Sequence, residues 1–195
     1  MGAVEVQPGL FVRCFTPPLR LGDFKLVAFD MDSTLINIEC VDEIAAAAGR
    51  KAEVAAITEA VMRGEISDYQ SSLRQRLALL RGVPVSALEA VYSQHLQLNP
   101  GVETFVQACQ AAGLKTLLVS GVDGAEKRRV LLEVAELMGI APEQAIAVGD
   151  GANDLPMMGV AGLSIAYHPK PAVLQQAMLS ITQGGMDRAL SLLQA

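Results

Sequence analysis

Leu26-Val27-Ala28-Phe29-Asp30-Met31-Asp32-Ser33-Thr34 is the stretch whose reading decides the fold. Four consecutive apolar residues read as a parallel strand buried on both faces, and open α/β sheets bind their ligands where such strands end. The carboxylates of Asp30 and Asp32 therefore emerge together at a predicted active edge. Ionised carboxylates beside a hydrophobic strand are costly to desolvate unless a cation, a proton or hydrogen bonds compensate. The pair implies a metal or acid/base work, and a nucleophile beside a proton donor is its sharpest form. The plainer alternative has one Asp capping the next helix and the other solvated. A calcium loop starting at Asp30 fails on spacing, because its sixth and twelfth places hold Leu35 and Val41 instead of Gly and Glu.

Outward from this strand, the leader is broken by Pro8, Gly9, Pro17 and Pro18 and reads as short strand or coil. From Val41 to about Leu96 the pattern is helical, with Gly49, Gly64 and Gly82 as helix ends. Ser67-Asp68-Tyr69-Gln70 and Ser86-Ala87-Leu88-Glu89 have the capping-box spacing that starts helices. Leu73, Leu77 and Leu80 form an apolar stripe with Arg74, Arg76 and Arg81 nearby. A helix from Glu103 to Ala112, a strand from Leu114 to Val119, a helix from Ala125 to Met138 and a strand from Ala145 to Val148 follow. Leu163 to Ala166 is a further strand and Leu179 to Thr182 a weak last one. Strands alternating with helices specify an α/β fold, a Rossmann-like and mostly parallel sheet. Residues 1–39 and 99–195 are its core, and 40–98 a helical cap inserted after the first strand of that sheet.

The 195 residues suffice for a sizeable core, and 51% hydrophobic against 18% charged residues mark a globular chain. A formal net charge of −6 without a basic stripe argues against nucleic acid as partner. No run approaches the ~18 apolar residues of a membrane span, and the N-terminus lacks the apolar region of a signal peptide. Cys14, Cys40 and Cys109 are odd in number and widely spaced, which indicates neither a disulfide framework nor a thiolate zinc site. A small-molecule substrate in a reducing cytoplasm is the expectation.

The strand ending at Val148 also runs into acid, in Gly149-Asp150-Gly151-Ala152-Asn153-Asp154. A dinucleotide fingerprint would need glycine where Asp154 stands, and this carboxylate would repel a pyrophosphate. Asp150 and Asp154 instead extend the acidic cluster, as hard oxygen ligands suited to Mg²⁺, unless they form only an Asx-turn into a helix. Ser120-Gly121 ends the intervening strand as a small anion-binding nest, a weak signal by itself. Asp123 and Glu126 have helix-start spacing, and Lys127 falls in the first turn, where the macrodipole disfavours a cation. Lys127 is thus a solvated side chain or one held by a nearby anion. Three carboxylates and a phosphate dianion repel one another, each like-charge pair near 4 Å costing about 4 kcal/mol at an effective dielectric of 20. Mg²⁺ and Lys127 would balance that charge and let a carboxylate attack a phosphate ester.

These residues resemble the haloacid dehalogenase superfamily of phosphohydrolases, from about Phe24 to Met186. Asp30-Met31-Asp32-Ser33-Thr34-Leu35 is similar to its first motif, Ser120-Gly121 to its second, Lys127 to its third and Gly149 to Met157 to its fourth. The resemblance implies that Asp30 forms an aspartyl-phosphate. Asp32 would protonate the departing oxygen and then activate water. It further implies Mg²⁺ on Asp30, the Asp32 carbonyl and Asp150 with Asp154 in support, and phosphate on Ser120, Gly121, Lys127 and Asn153. Glu39 and Arg74 would take the ammonium and carboxylate of an amino acid, so that O-phospho-L-serine is the implied substrate. The alternatives are another small phosphomonoester, phosphotransfer, or a shortened and catalytically silent relative.

One departure stands out. The superfamily's similar members continue from the second motif through a helix, a strand and a small hairpin before the lysine, whereas here Val122-Asp123-Gly124 follows Gly121 at once. The helix after Gly124 still supplies the dozen or more residues that a parallel crossover needs. A missing αβ unit implies a new sheet edge with uncovered apolar surface, which favours instability, aggregation or pairing with another copy.

Overall fold

The computed structural model describes residues 2–62 and 69–194. Two compact units divide it, residues 1–35 with 98–195 and residues 36–97. The leader is more ordered than its prolines suggest. Strands β1 (Val4–Gln7) and β2 (Leu10–Val12) form an antiparallel hairpin, and a short β3 (Leu19–Arg20) precedes β4 (Leu26–Phe29). All four residues of β4 are buried, as its unbroken apolar run requires.

The helical unit consists of α1 (Cys40–Ala47), α2 (Lys51–Met62), α3 (Tyr69–Ala78) and α4 (Val85–Gln94). Among the described residues of this unit, Ile36, Ala45, Val54, Ala87 and Val91 are buried and apolar. Gly49, with φ of +77°, follows α1 as expected of a helix-ending glycine. Gly64 and the start of the Ser67–Gln70 box lie outside the described residues. The second box is not used: α4 begins at Val85 behind Pro84, so Ser86 lies inside the helix. Proline at a helix start leaves no amide unpaired there. Leu77 is 47% exposed, so the expected stripe is rotated. Leu73, Arg76 and Leu80, at three- and four-residue spacing, share the less exposed side instead.

The remaining elements alternate: α5 (Val102–Ala111), β5 (Lys115–Leu118), α6 (Gly124–Met138), β6 (Ala145–Gly149), α7 (Leu155–Met158), β7 (Leu163–Tyr167), α8 (Pro171–Leu174), β8 (Leu179–Ile181) and β9 (Leu193–Gln194). The main sheet has the order β1-β2-β8-β7-β6-β4-β5. Its strands from β8 to β5 are parallel, and β2 adds antiparallel to β8 with Leu10 opposite Ile181. The weak last strand is therefore sandwiched between two partners, one of them from the leader. β3 and β9 pair separately.

Alternation along β4 builds a core on each face of the sheet. Val27 and Phe29 join Ile146, Val148, Phe105 and Cys109 on one side, while Leu26 and Ala28 join Ala145, Ala147, Leu131 and Met157 on the other. The rings of Phe29 and Phe105 meet edge to face, with centroids 6.1 Å apart. Burial pushes the Cys109 thiol up to about 12, so it packs as an inert hydrophobe. Cys14, Cys40 and Cys109 are all free.

β5 hydrogen-bonds to β4 on one side and is the terminal strand of the sheet. Leu118 is half exposed there, which matches the edge expected from the shortened connection. No helix among the described residues is long and apolar enough to cross a membrane.

Phe105→Ala removes a fully buried ring and is expected to lower the unfolding free energy by about 3–5 kcal/mol. Leu118→Thr on the bare edge should change it by no more than ~0.5 kcal/mol. Urea denaturation of the two variants checks both values.

Candidate active site

The central strands end in register. Phe29 lies opposite both Leu118 and Val148, so Asp30, Ser120 and Asp150 all leave the sheet along one edge. The Asp30 amide still donates to Val148 O at 2.9 Å, and the Val119 amide donates to Phe29 O at 2.9 Å. The ladder thereby holds the backbone of Asp30 from both sides. Beyond it the chain turns sharply, with Ser33 at φ +58° and the Leu35 amide donating to Met31 O. A left-handed serine in such a turn is sparsely populated and occurs where surrounding structure enforces it.

Lys127 reaches this edge from α6. Asp123 caps the helix by accepting from the Glu126 amide at 2.8 Å, in agreement with the spacing read from the sequence. Gly121, at φ +72°, makes the turn between β5 and this cap in a conformation that glycine adopts without strain. The Lys127 ammonium is 1% exposed and donates to Asp30 Oδ1 at 2.5 Å and to Asp154 Oδ1 at 2.7 Å. The solvated reading of Lys127 is thus overturned, because two buried carboxylates outweigh the unfavourable helix dipole. The shortened connection after Gly121 still delivers the lysine to Asp30.

Asp154 is fully buried and uses both oxygens. Oδ1 takes Lys127, and Oδ2 accepts the amides of Asp150 and Gly151, each at 3.0 Å. These amides precede Asp154 in the chain, whereas an Asx-turn carboxylate accepts from residues that follow it, so the Asx-turn alternative does not describe Asp154. Gly149 makes this arrangement possible, since a Cβ there would fall 2.3 Å from Asp154 Oδ2. Asn153 lies in the 3-10 turn Ala152–Asp154, with Oδ1 packed over Gly151. Asp32 is half buried two residues past Asp30, and Ser120 is half buried two residues past β5.

The electrostatics follow from burial. Desolvation, helped by Asp154, raises Asp30 to about 6 against the opposing pull of Lys127. Desolvation also raises Asp150, opposed chiefly by the Lys170 ammonium 3.1 Å from its Oδ2. For Lys127 burial acts to lower the value, but Asp154 and Asp30 together raise it, so the ammonium stays charged. Asp30, Asp150 and Asp154 each bring a carboxylate oxygen within 4.8 Å of the others. Buried hard oxygen donors so close together fit a hard metal cation. Asp30, Asp150 and Asp154 could each offer such an ion one oxygen.

Residues 24–162 match the family described as haloacid dehalogenase-like hydrolase. A phosphoserine phosphatase of Polaromonas sp. (strain JS666) is 56% identical over 234 residues, covering 98% of this chain and 99% of the relative. This chain belongs to the phosphoserine phosphatase family of haloacid dehalogenase-like hydrolases. A second member, from Albidiferax ferrireducens, is 54% identical over 236 residues and covers both chains in full. That alignment is longer than the 195 residues present here, so the relative has a stretch with no counterpart in this chain. A solved phosphoserine phosphatase carrying a phospho-aspartyl intermediate analogue superposes with a TM-score of 0.79 at 29% identity, over 88% of this chain and 99% of that one. Hydrolases of this family generally use a metal ion, and the acidic cluster could hold one.

In the helical unit Glu39 immediately precedes α1 without a side-chain capping bond, and its carboxylate lies 3.9 Å from the Arg76 guanidinium. Arg76 is also bonded to Asp42 at 3.0 Å. Arg74, the arginine expected beside Glu39, is exposed and turns to Gln70 at 3.2 Å within its own helix. The structure thus brings Arg76, not Arg74, to Glu39. The helical period carried the signal, since Arg76 continues the line from Leu73 to Leu80 and Arg74 does not. Lys170 also escaped the sequence reading, because only the folded sheet sets the end of β7 beside that of β6.

Gly149→Ala is expected to push the Asp154 carboxylate off its two amides and away from Lys127, destabilising the fold by about 1–3 kcal/mol. Metal affinity should fall with it, because Asp150 shares that backbone. Thermal melts with and without added Mn²⁺ measure both effects.

Proposed function

We propose that this chain hydrolyses O-phospho-L-serine to L-serine and phosphate with Mg²⁺, through a phosphorylated Asp30. The observation that carries the reading is the buried Lys127 ammonium shared between Asp30 and Asp154 beside Asp150. A carboxylate held at a strand end by a permanent cation is poised to attack phosphorus, because the cation offsets charge on nucleophile and ester alike. Two named relatives above half identity and the phospho-aspartyl neighbour support the same reading.

In this reading a carboxylate oxygen of Asp30 bonds to phosphorus as the ester oxygen departs, and Asp32 gives that oxygen its proton. Asp32, now ionised, takes a proton from water, whose oxygen attacks phosphorus and releases phosphate and free Asp30. Lys127, Ser120, the Gly121 amide and Asn153 hold the phosphoryl oxygens. Asp30, Asp150 and the Asp32 carbonyl would hold Mg²⁺, with Asp154 orienting them, and the ion would neutralise charge on the transferring group. Glu39 and Arg76 carry the charges that complement an ammonium and a carboxylate, a guanidinium being suited to bidentate capture. We assign the carboxylate to Arg76 in place of Arg74. The three free cysteines suit a reducing cytoplasm.

Phosphate release from O-phospho-L-serine by the purified protein with Mg²⁺ tests the proposal. A folded protein that binds metal and turns over no phosphomonoester sinks it. Asp30→Asn should reduce turnover on the order of 10³-fold or more. Arg76→Ala should raise KM for phosphoserine about tenfold to a hundredfold, as loss of a charge-assisted pair implies. It should leave p-nitrophenyl phosphate hydrolysis near wild type, and Arg74→Ala should leave both substrates near wild type.

A further inference from the structure

We propose that Lys170 is a displaceable counter-ion for Asp150, seated on the metal-ligating carboxylate and yielding it when a divalent cation arrives. The inference rests on the reading that Asp30 and Asp150 hold such a cation. Two lysines face the acidic cluster, and they are built in opposite ways. Lys127 is 1% exposed and held by two carboxylates, so it cannot leave without stranding both. The Lys170 side chain is 61% exposed, while the Asp150 side chain that it meets is 8% exposed. Its side chain reaches water, whereas that of the carboxylate does not.

Charge counting gives the arrangement its purpose. Asp30, Asp150 and Asp154 carry three negative charges, and Lys127 with Lys170 supplies two positive ones. Without Lys170, buried Asp150 would lose its nearest counter-charge in the metal-free protein and keep only the more distant pull of Lys127. With both Lys170 and a divalent cation, the same carboxylate would face two repelling positive groups. Lys170 therefore stabilises the metal-free state more than the metal-bound one, and it weakens apparent metal affinity by that difference. The approach is secured by the main chain. The Lys170 amide donates to Asp150 O at 2.9 Å, and Lys170 immediately precedes α8, where Pro171 is the first residue. Because the backbone bond does not need the side chain, replacing Lys170 removes the charge and leaves the loop attached.

Mn²⁺ titration followed by electron paramagnetic resonance, paired with thermal melts in EDTA, tests the proposal on wild type, Lys170→Met and Lys170→Arg. Lys170→Met should bind Mn²⁺ about threefold tighter, a modest factor because the lysine is partly solvated. It should also melt lower in EDTA and gain more from added Mn²⁺, while Lys170→Arg stays near wild type. Weaker Mn²⁺ binding by Lys170→Met would make the lysine a fixed support of Asp150 and overturn the proposal, as would unchanged binding with an unchanged melt. Wild type that binds no Mn²⁺ would remove the metal reading and this inference with it. If Lys170→Met does not fold, Lys170→Gln carries the same comparison.

Discussion

A lysine ammonium excluded from water and shared between Asp30 and Asp154 is the contact on which this site depends. Neither carboxylate tolerates burial alone, and the lysine does not either. The ammonium offsets the burial of the carboxylates, and they in turn keep it charged. That mutual dependence joins β4, α6 and the turn after β6, which are far apart in sequence, into one unit at the sheet edge. The remaining features of the site serve to keep the three in place. Gly149 leaves room for the Asp154 carboxylate, the Asp150 and Gly151 amides orient it, and Asp123 anchors the helix that carries Lys127.

The same constraint explains how the site forms with a short connection between β5 and α6. The crossover from β5 to β6 needs only to begin at the active edge and return along α6, and a 15-residue helix does this. The border of the sheet lies elsewhere. β5 stands there with a half-exposed Leu118, away from the contact that holds Lys127. Catalytic convergence and edge protection are thus separate demands on the fold, met by different residues.

Much of the fold was legible because buried parallel strands announce themselves as unbroken apolar runs. β4 and β6 are such runs, β7 is one interrupted by Ser164, and their sequence bounds agree with the structure to within a residue, as do those of α6 with its Asp cap. The leader hairpin was not legible, because β2 is stabilised by a partner some 170 positions away in the chain. The helical unit was read less well for another reason. Its helices carry mixed faces, so a leucine stripe through Leu77 looked as good as the line through Arg76 that packs inward. Arg74 and Arg76 are chemically equal in the sequence, and only their side of α3 separates them.

The sequence by itself determined which residues carry charge at the ends of the central strands, and hence that Asp30, Asp32, Asp150 and Asp154 form an acidic edge in need of a cation. Strand periodicity and motif spacing are local properties, so they survive without coordinates. Tertiary structure alone decided how that charge is balanced. It buried Lys127 where the local rule favoured solvent, gave Asp154 to the lysine and two amides, set Lys170 on Asp150, and turned Arg76 instead of Arg74 toward Glu39. Charge compensation acts through space at a few ångströms, and the chain order holds no record of those distances until it folds.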